Sequence, residues 1–242
     1  MNTKKLLVAA LSLLSVLAIR AVPVTAQMDV SIGLRGTVVD ETTRKPALVG
    51  ITVTDASGRK VTSTKTRASD GSYYVVLKPG VSYTMTFDGE GFFKESRPLE
   101  IPPVKKYAEI TRDWVVHIGT VGTKLRPAVS PFEYKKSKLR VGSDQVLASY
   151  VSLMKTNPGA TFEIRCFPDV ESDSRVATEF TAERANTLKS YLVQNGVAAE
   201  RLTVTASSGI DPENPVPQGR AAKGRRYVGP SYFVVSRNDH AD

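Results

Sequence analysis

Two stretches of the C-terminal half are the strongest indication of the fold. Residues 163–169 are Glu-Ile-Arg-Cys-Phe-Pro-Asp, and residues 180–185 are Phe-Thr-Ala-Glu-Arg-Ala. The first stretch closes an apolar, strand-like run at Asp169, and the second places Arg184 in the first turn of a helical pattern. A strand followed by a helix brings these positions to one mouth of a β-α unit. We therefore expect an acid and a guanidinium there, with room for a zwitterion between them.

Strands and helices alternate on both sides of these stretches. Strands are predicted at residues 131–134, 161–166, 201–206 and 231–236. Ser143 is predicted to cap a helix that runs to about Thr156, and a second helix is predicted from about Thr181 to Gln194. The order is β-α-β-α-β plus a terminal strand, which is typical of an α+β domain with a mixed sheet covered by helices.

The N-terminal half has a different pattern. Short β-rich runs occupy residues 35–40, 49–55, 60–67, 72–77, 82–87 and 109–118. Turn signals such as Asp70-Gly71 and Pro79-Gly80 separate them, and no helical period appears between them. This half is therefore predicted to be an all-β sandwich.

The N-terminus predicts export. A basic start with Lys4 and Lys5 precedes an apolar run over residues 6–19 and the small-x-small sequence of residues 24–26. This is the pattern of a secretory signal peptide cleaved after Ala26. The alternative is an uncleaved membrane anchor, but Arg20 and Pro23 interrupt the run before it reaches the length of a span. No transmembrane span is predicted in the mature chain.

The net charge and the cysteine content limit the kinds of partner and site that this protein can have. Removal of residues 1–26 takes away three basic residues and no acid, so the formal net charge falls from +9 to +6. The remaining basic residues are dispersed, and an exported basic protein is expected to meet anionic envelope polymers rather than nucleic acid. The single cysteine, Cys166, cannot form an internal disulfide, and we interpret it as a small buried thiol rather than a reactive one.

The predicted organisation has five parts. They are a signal peptide (1–26), a β-sandwich (27–118), a linker (119–131), an α+β domain (132–237) and a tail (238–242). The linker assignment depends on Gly119, Gly122, Pro127 and Pro131, and it predicts that the two halves fold separately.

The two stretches quoted first resemble the peptidoglycan-binding signature of OmpA-like C-terminal domains. In that family a strand ending in a Gly-His-Thr-Asp turn is followed by a Leu-Ser-x-x-Arg-Ala helix start. The resemblance covers roughly residues 128–237 and puts Asp169 and Arg184 at the two ligand-contacting positions of the family. It implies that the domain holds the diaminopimelate of peptidoglycan stem peptides.

The chemistry of such a site follows from the zwitterion. Arg184 would hold the carboxylate in two parallel hydrogen bonds, and Asp169 would hold the ammonium. Thr181 would cap the helix whose free N–H groups add donors. Tyr134, Arg165 and Arg226 are candidates for the rim of the pocket.

The sequence also departs from the family pattern. Phe167 and Pro168 replace the His-Thr before the Asp, Ala177 stands where an Asn is common, and Gly224 replaces the Asn of an Asn-Arg-Arg run. Residues 227–230 look inserted before the last strand. These departures keep open a second interpretation, in which Asp169 and Arg184 form an ordinary surface ion pair.

The N-terminal half resembles the carboxypeptidase-regulatory-like, transthyretin-type β-sandwich. The matching residues are Gly36-Thr37-Val38-Val39-Asp40, Pro46, residues 51–54, Asp70-Gly71-Ser72-Tyr73, residues 79–83 and Gly91-Phe92. Such modules are spacers or interaction platforms, so an envelope protein partner on the sandwich is expected.

No catalytic set accompanies these domains. The only histidines, His117 and His240, do not lie in metallopeptidase spacing, and no nucleophile-base pair, Walker loop or dinucleotide fingerprint is present. We expect no metal and no cofactor. The sequence predicts a non-enzymatic periplasmic protein that binds peptidoglycan and is associated with the cell wall, with association with the outer membrane as an alternative. The alternative is a scaffold subunit of a secretion or motility apparatus with a degenerate OmpA-like domain.

Overall fold

A computed structural model describes residues 30–217 and 226–239. The predicted signal peptide, Gly224 and His240 lie outside the described residues. Within the described ranges the N-terminal strands are β1 Ile32–Asp40, β2 Gly50–Asp55, β3 Lys60–Lys65, β4 Ser72–Leu77, β5 Ser82–Asp88, β6 Glu95–Glu100, β7 Ala108–Thr111 and β8 Trp114–Val116. The C-terminal elements are β9 Lys124–Leu125, α1 Ser143–Thr156, β10 Ala160–Cys166, α2 Ser174–Gln194, a 3-10 turn at Ala199–Arg201, β11 Leu202–Ala206 and β12 Ser231–Asn238.

The N-terminal strands form two four-stranded sheets. One has the order β3-β2-β5-β6 and is antiparallel throughout. The other is built on β1, which pairs antiparallel with β4 and parallel with β7 and β8. Alternate residues of both sheets, among them Leu34, Val75, Val53 and Met85, enter a single buried cluster. The prediction of a β-rich N-terminal half is therefore confirmed.

Strand β6 was not predicted from the sequence. Its residues Glu-Ser-Arg-Pro-Leu-Glu carry three charges and a proline, and only Leu99 among them is a buried apolar residue. Proline is tolerated here because β6 is the edge strand of its sheet. The strand is specified by its partner β5 rather than by its own composition.

The C-terminal sheet is mixed, as predicted. Its order is β11-β10-β12-β9, with β10 parallel to β11 and antiparallel to β12. Alternate residues of β10 are apolar and point inward, so one face of the strand is buried. This face shares a buried cluster with α1 and α2. Cys166 ends that row, so the prediction of a buried thiol is confirmed. Burial raises the pKa of the Cys166 thiol to about 11, which keeps it protonated and unreactive.

Two predicted details of this half are wrong. Residues 131–134 do not form a strand; Phe132 makes only an isolated bridge to Leu139. Ser143 is the first residue of α1 rather than its cap, a position that Gly142 takes with a φ of 81°. A short strand lies instead at Lys124–Leu125, inside the segment predicted to be a linker, and it pairs with β12.

The two halves contact each other directly. Phe93 of the N-terminal half stacks on Phe162 of β10 at 5.8 Å and belongs to the C-terminal buried cluster. The Asn157 side chain bonds both the N–H and the carbonyl of Lys94 at 2.9 Å. The division into separately folding domains stays a prediction. These contacts between the halves favour folding as one unit.

A charged cluster lies at this junction. His117 contacts Glu41 through Nε2 at 2.6 Å and buried Glu95 through Nδ1 at 2.8 Å, and Arg97 pairs with Glu95. The His117 ring also meets Tyr150 of α1 edge-on at 6.4 Å. Burial alone lowers the pKa of His117, but the hydrogen bonds and charges of the two glutamates outweigh it and raise the pKa to about 9.

Neither helix of the described residues is long and apolar enough to cross a membrane.

Candidate functional site

Helix α2, which carries Arg184, begins seven residues earlier than predicted. Asp173 is its N-cap, and its carboxylate accepts the N–H groups of Arg175 at 2.9 Å and Val176 at 3.4 Å. The prediction that Thr181 caps this helix is therefore wrong. Arg184 lies in the third turn rather than the first.

The longer helix changes the environment of Arg184. The inward face of α2 consists of Ala177, Thr181, Arg184, Ala185, Leu188 and Leu192. Their spacing of three and four residues is that of a single helix face. Arg184 is thus in line with the core residues and has a side-chain exposure of 0%. A charge in this position requires a partner of opposite sign.

Asp169 is that partner. Arg184 donates from Nη1 to Asp169 Oδ1 at 2.6 Å and from Nη2 to Oδ2 at 2.9 Å, and the Asp169 side chain is 1% exposed. The two residues therefore lie at one end of the β-α unit, but they bond each other directly, whereas the sequence predicts a zwitterion between them. The guanidinium fork is turned to Asp169 itself, with no space for a ligand between the two groups.

Backbone groups form the remaining hydrogen bonds of the Asp169 carboxylate and the Arg184 guanidinium. The turn of residues 133–136 supplies three of them: Lys135 N–H donates to Asp169 Oδ2 at 2.6 Å, while the carbonyls of Glu133 and Lys136 accept from Arg184 at 3.0 and 2.9 Å. Asp169 Oδ1 also accepts from Gly229 N–H at 2.7 Å. All four acceptor sites of the carboxylate and four of the five guanidinium N–H groups are therefore occupied.

Gly229 reaches the carboxylate because it has no side chain. A Cβ at this position would lie 2.1 Å from the Phe167 carbonyl oxygen and 2.5 Å from that of Pro168. The segment of residues 227–230, which looked like an insertion in the sequence, thus packs against the strand end that carries Asp169. It forms one wall of the charged site.

Aromatic rings enclose the guanidinium on two sides. Arg184 Cζ lies 4.9 Å from the centroid of Phe132 and 4.3 Å from that of Phe180. Both contacts are cation-π interactions in a desolvated setting. They explain why Phe132 is buried although it belongs to no strand.

A cavity of about 300 Å³ adjoins the pair. Asp169, Lys135, Ala177 and Phe180 are among its lining residues, together with Val176 from the first turn of α2. The cavity therefore has an acid and a base at its wall, an aromatic side and a helix N-terminus beside it. Arg184 lies directly behind the Phe180 wall.

The other predicted site residues fall into two groups. Tyr134 lies beneath the Arg226 guanidinium at 5.0 Å and the Lys135 ammonium at 5.5 Å, so these two rim candidates are brought together. Arg165 is directed away from the core face of β10 and bonds Glu163 at 2.8 Å. The rim roles of all three stay predictions.

Thr181 is buried and already engaged. Its hydroxyl contacts the carbonyls of Thr178 at 3.2 Å and Ser207 at 2.9 Å and accepts the Ser207 N–H at 3.0 Å. It therefore ties α2 to the loop after β11. A contact between Thr181 and a ligand stays a prediction.

Comparison with known proteins places this site in a family. Residues 131–226 match the model of the OmpA family. The sequence prediction of an OmpA-like segment in the C-terminal half is therefore confirmed. The sequence matches none of the curated proteins.

Several solved structures are similar to the chain. The peptidoglycan-associated lipoprotein from Burkholderia pseudomallei is 17% identical, over 43% of this chain and 86% of that one, with a TM-score of 0.35. The OmpA-like domain of FopA1 from Francisella tularensis is 14% identical, over 69% and 81%, with a TM-score of 0.34. The periplasmic domain of Helicobacter pylori MotB is 13% identical, over 64% and 84%, with a TM-score of 0.37. Likeness at this level says nothing about what this chain binds.

Sequence reasoning missed Lys135, Gly229, Phe132 and Phe180. A usable signal existed for one of them, because Gly229 is followed by Pro230 at the start of a strand, a pattern that marks a tight connection. The turn that holds Lys135 has no such signal. Among the described residues, no group of His, Cys, Asp and Glu is arranged to hold a metal ion.

Proposed function

We propose that this protein is a non-enzymatic component of the cell envelope whose OmpA domain binds peptidoglycan non-covalently. The observation that carries the proposal is the cavity lined by Asp169 and Lys135, which adjoins the buried Asp169–Arg184 pair. The family supports the general function, because OmpA domains are typically non-enzymatic and bind peptidoglycan. The proposed location is the periplasm, in association with the wall.

The ligand within the wall is proposed to be the diaminopimelate of the stem peptide. Its ammonium would bind Asp169, and its carboxylate would bind Arg184 and the nearby Lys135 ammonium. The support is the turn of residues 133–136, which already makes the same kinds of bond. Its Lys135 N–H donates to Asp169, and its Glu133 and Lys136 carbonyls accept from Arg184.

In this proposal the turn occupies the hydrogen-bonding positions that the zwitterion would take. If the turn moves aside, it frees one acceptor on Asp169 and two donors on Arg184 together. A zwitterion brings one charge of each sign, so it can replace the turn without leaving either buried charge unpaired. Thr181 supports the site by fixing α2 to the loop after β11.

Sedimentation with purified sacculi tests the proposal. Val176→Trp should fill the cavity from its exposed rim and abolish binding to diaminopimelate-type sacculi while the fold stays intact. Val193→Trp on the same helix is the matched control, because Val193 is also partly exposed and lies outside the cavity. Lys-type sacculi, whose stem peptides lack the second carboxylate, should bind at least tenfold more weakly. Equal binding of both wall types would exclude diaminopimelate as the ligand.

A second function is supported by a different observation. Within the chain, all four acceptor sites of Asp169 and four of the five guanidinium N–H groups of Arg184 are bonded, which is what a purely structural pair would show. On this basis the chain would be a scaffold subunit of a secretion or motility apparatus. Failure of the folded wild-type protein to sediment with either type of sacculus would favour this function over wall binding.

The N-terminal half is proposed to be a carboxypeptidase-regulatory-like β-sandwich that presents a surface to another envelope protein. The support is its two four-stranded sheets around one buried cluster. Wall binding by the OmpA domain would then station this surface beside the peptidoglycan. Cross-linking of the intact protein in cells, followed by mass spectrometry, should place partner cross-links on lysines of residues 30–118 rather than on the OmpA domain.

A further inference from the structure

The outer face of the β1 sheet carries two exposed tyrosines that are held in place. Tyr74 of β4 is 48% exposed and Tyr107 is 53% exposed. Their hydroxyl oxygens lie 3.2 Å apart, and Tyr107 also donates to Glu109 Oε1 at 3.0 Å. Because Tyr107 gives its proton to Glu109, Tyr74 must donate to Tyr107. The two rings are therefore fixed by a directed chain of hydrogen bonds.

Gly33 makes this arrangement possible. It lies on the central strand β1 beneath the two phenols, and a Cβ there would come within 2.7 Å of the Tyr107 hydroxyl and 2.8 Å of the Tyr74 hydroxyl. A side chain at position 33 would push the rings off the sheet. The rings thus form a platform with little conformational entropy left to lose when a ligand binds.

Charged planar groups border the platform. Arg35 is paired with Tyr74 across the strands, and its Nη1 lies 3.2 Å from Glu109 Oε2. The largely exposed Arg35–Glu109 pair presents donors and acceptors beside an aromatic surface. A saccharide offers the complementary chemistry, since it has an apolar C–H face and adjacent hydroxyls at its edge.

The platform opens onto a positively charged cavity of about 580 Å³. Arg35 and Tyr74 line it together with Lys65, Arg67, Thr37 and Ser72. Among the described residues, neither Lys65 nor Arg67 forms a salt bridge. The one acid in the lining, Asp113, is occupied by the N–H and hydroxyl of Thr37 at 2.8 and 2.9 Å. Three basic side chains against this one acid give the lining a net charge of +2, so the cavity favours an anion.

We infer that the Tyr74–Tyr107 platform and the adjoining cavity are a binding site for an anionic saccharide. The sugar ring would stack on the tyrosines, and its carboxylate or phosphate would enter the cavity beside Lys65 and Arg67. The site lies in the N-terminal half, so it is separate from the diaminopimelate site proposed above. Two envelope polymers share this chemistry: a wall glycan whose muramyl carboxylates are free, and a phosphorylated core oligosaccharide.

Calorimetric titration of the purified protein with four probes tests the inference. The probes are glycan strands stripped of their peptides, a delipidated phosphorylated core oligosaccharide, neutral chitohexaose and inorganic phosphate. At least one of the two anionic saccharides should bind at least tenfold more tightly than chitohexaose and phosphate, and the tighter of them identifies the source. Stripped strands contain no diaminopimelate, so this result is independent of the proposed wall-binding site.

Variants separate stacking from charge. Tyr74→Ala and Tyr107→Ala should each weaken binding about tenfold, whereas exposed Val121→Ala should change nothing. Lys65→Ala with Arg67→Ala should remove the preference for anionic over neutral saccharide, and exposed Lys155→Ala should not. Binding of phosphate alone, binding unchanged by the tyrosine variants, or no binding of either anionic saccharide would each overturn the inference.

Discussion

Two clusters of buried charge in the described residues differ in the groups that form hydrogen bonds with them. Asp169 and Arg184 lie within the OmpA domain, and backbone groups from residues 133–136 and 229 complete them. His117 lies at the contact between the two halves, and side chains complete it: Glu95, which is buried, and Glu41, which is 42% exposed. Of the two clusters, the second contains a histidine, whose pKa its two glutamate partners raise to about 9.

This difference shows what each cluster controls. A pair completed by backbone fixes the path of the loops that donate to it, so Asp169 and Arg184 organise the wall of the cavity. A cluster centred on a histidine changes charge when its proton leaves, so the junction is sensitive to alkaline pH. Four predictions test this comparison, from the largest expected effect to the smallest.

Arg184→Ala should lower the free energy of unfolding by about 3–5 kcal/mol, because it leaves the Asp169 carboxylate buried without a counter-charge. Urea denaturation measures this. Arg175→Ala is the matched control on the same helix; its ion pair with Glu179 is largely exposed, so about 0.5 kcal/mol or less is expected. Similar losses for both variants would show that Arg184 is not buried in solution.

Phe93→Ala should cost about 3 kcal/mol or more, because it empties a site in the C-terminal cluster that the N-terminal half fills. It should also separate the melting transitions of the two halves. Phe92→Ala is the control, since Phe92 packs on the N-terminal cluster. If calorimetry of the wild type already shows two independent transitions, the Phe93 contact does not couple the halves.

The stability of the wild type should fall as the pH rises from 7 to 10. The pKa of His117 is raised from 6.5 to about 9, so its stabilisation is complete below pH 6.5 and is lost as the pH passes through 9. The loss should reach about 3 kcal/mol, one pKa unit being worth about 1.4 kcal/mol. His117→Gln should remove this part of the pH dependence. Parallel stability curves for the two proteins would contradict the charged junction.

Glu41→Gln should have the smallest effect. Its hydrogen bond to His117 is the main cause that lowers the pKa of Glu41, and the same bond raises the pKa of His117. Removing it should bring the His117 pKa part of the way from 9 towards 6.5 and cost about 1 kcal/mol or less at pH 7, because Glu41 is partly solvated. NMR titration of the two histidines measures this, and an unchanged His117 pKa would leave Glu95 as the sole cause.

Much of the fold could be predicted from local pattern. The alternation of residues 161–166 and the turn residues between the N-terminal runs identify the strands, because side chains in a strand alternate between two faces. Strand β6 and strand β9 could not be found in this way. β6 is polar with a proline, and β9 has only two residues, so both depend on the strands they pair with.

The candidate site was only partly predictable. The types and spacing of Asp169 and Arg184 pointed to an acid and a guanidinium at one mouth of a β-α unit, and the structure places the two groups in direct contact. The start of α2 was misplaced because Thr181 looked like a cap. Asp173, the N-cap in the structure, is also of a residue type that is favoured at this position. With that start, the spacing of Arg184 from Leu188 and Leu192 would have marked it as buried.

The sequence by itself determined the β-rich first half, the alternating second half and the presence of an acid and a guanidinium 15 residues apart. These features depend on periodicity and residue type, which are local. Only the tertiary structure decided that the two charges face each other, that the turn of residues 133–136 bonds both, and that Gly229 closes the site from the far end of the chain. These contacts join segments separated by up to 60 residues, and no local pattern encodes such a distance.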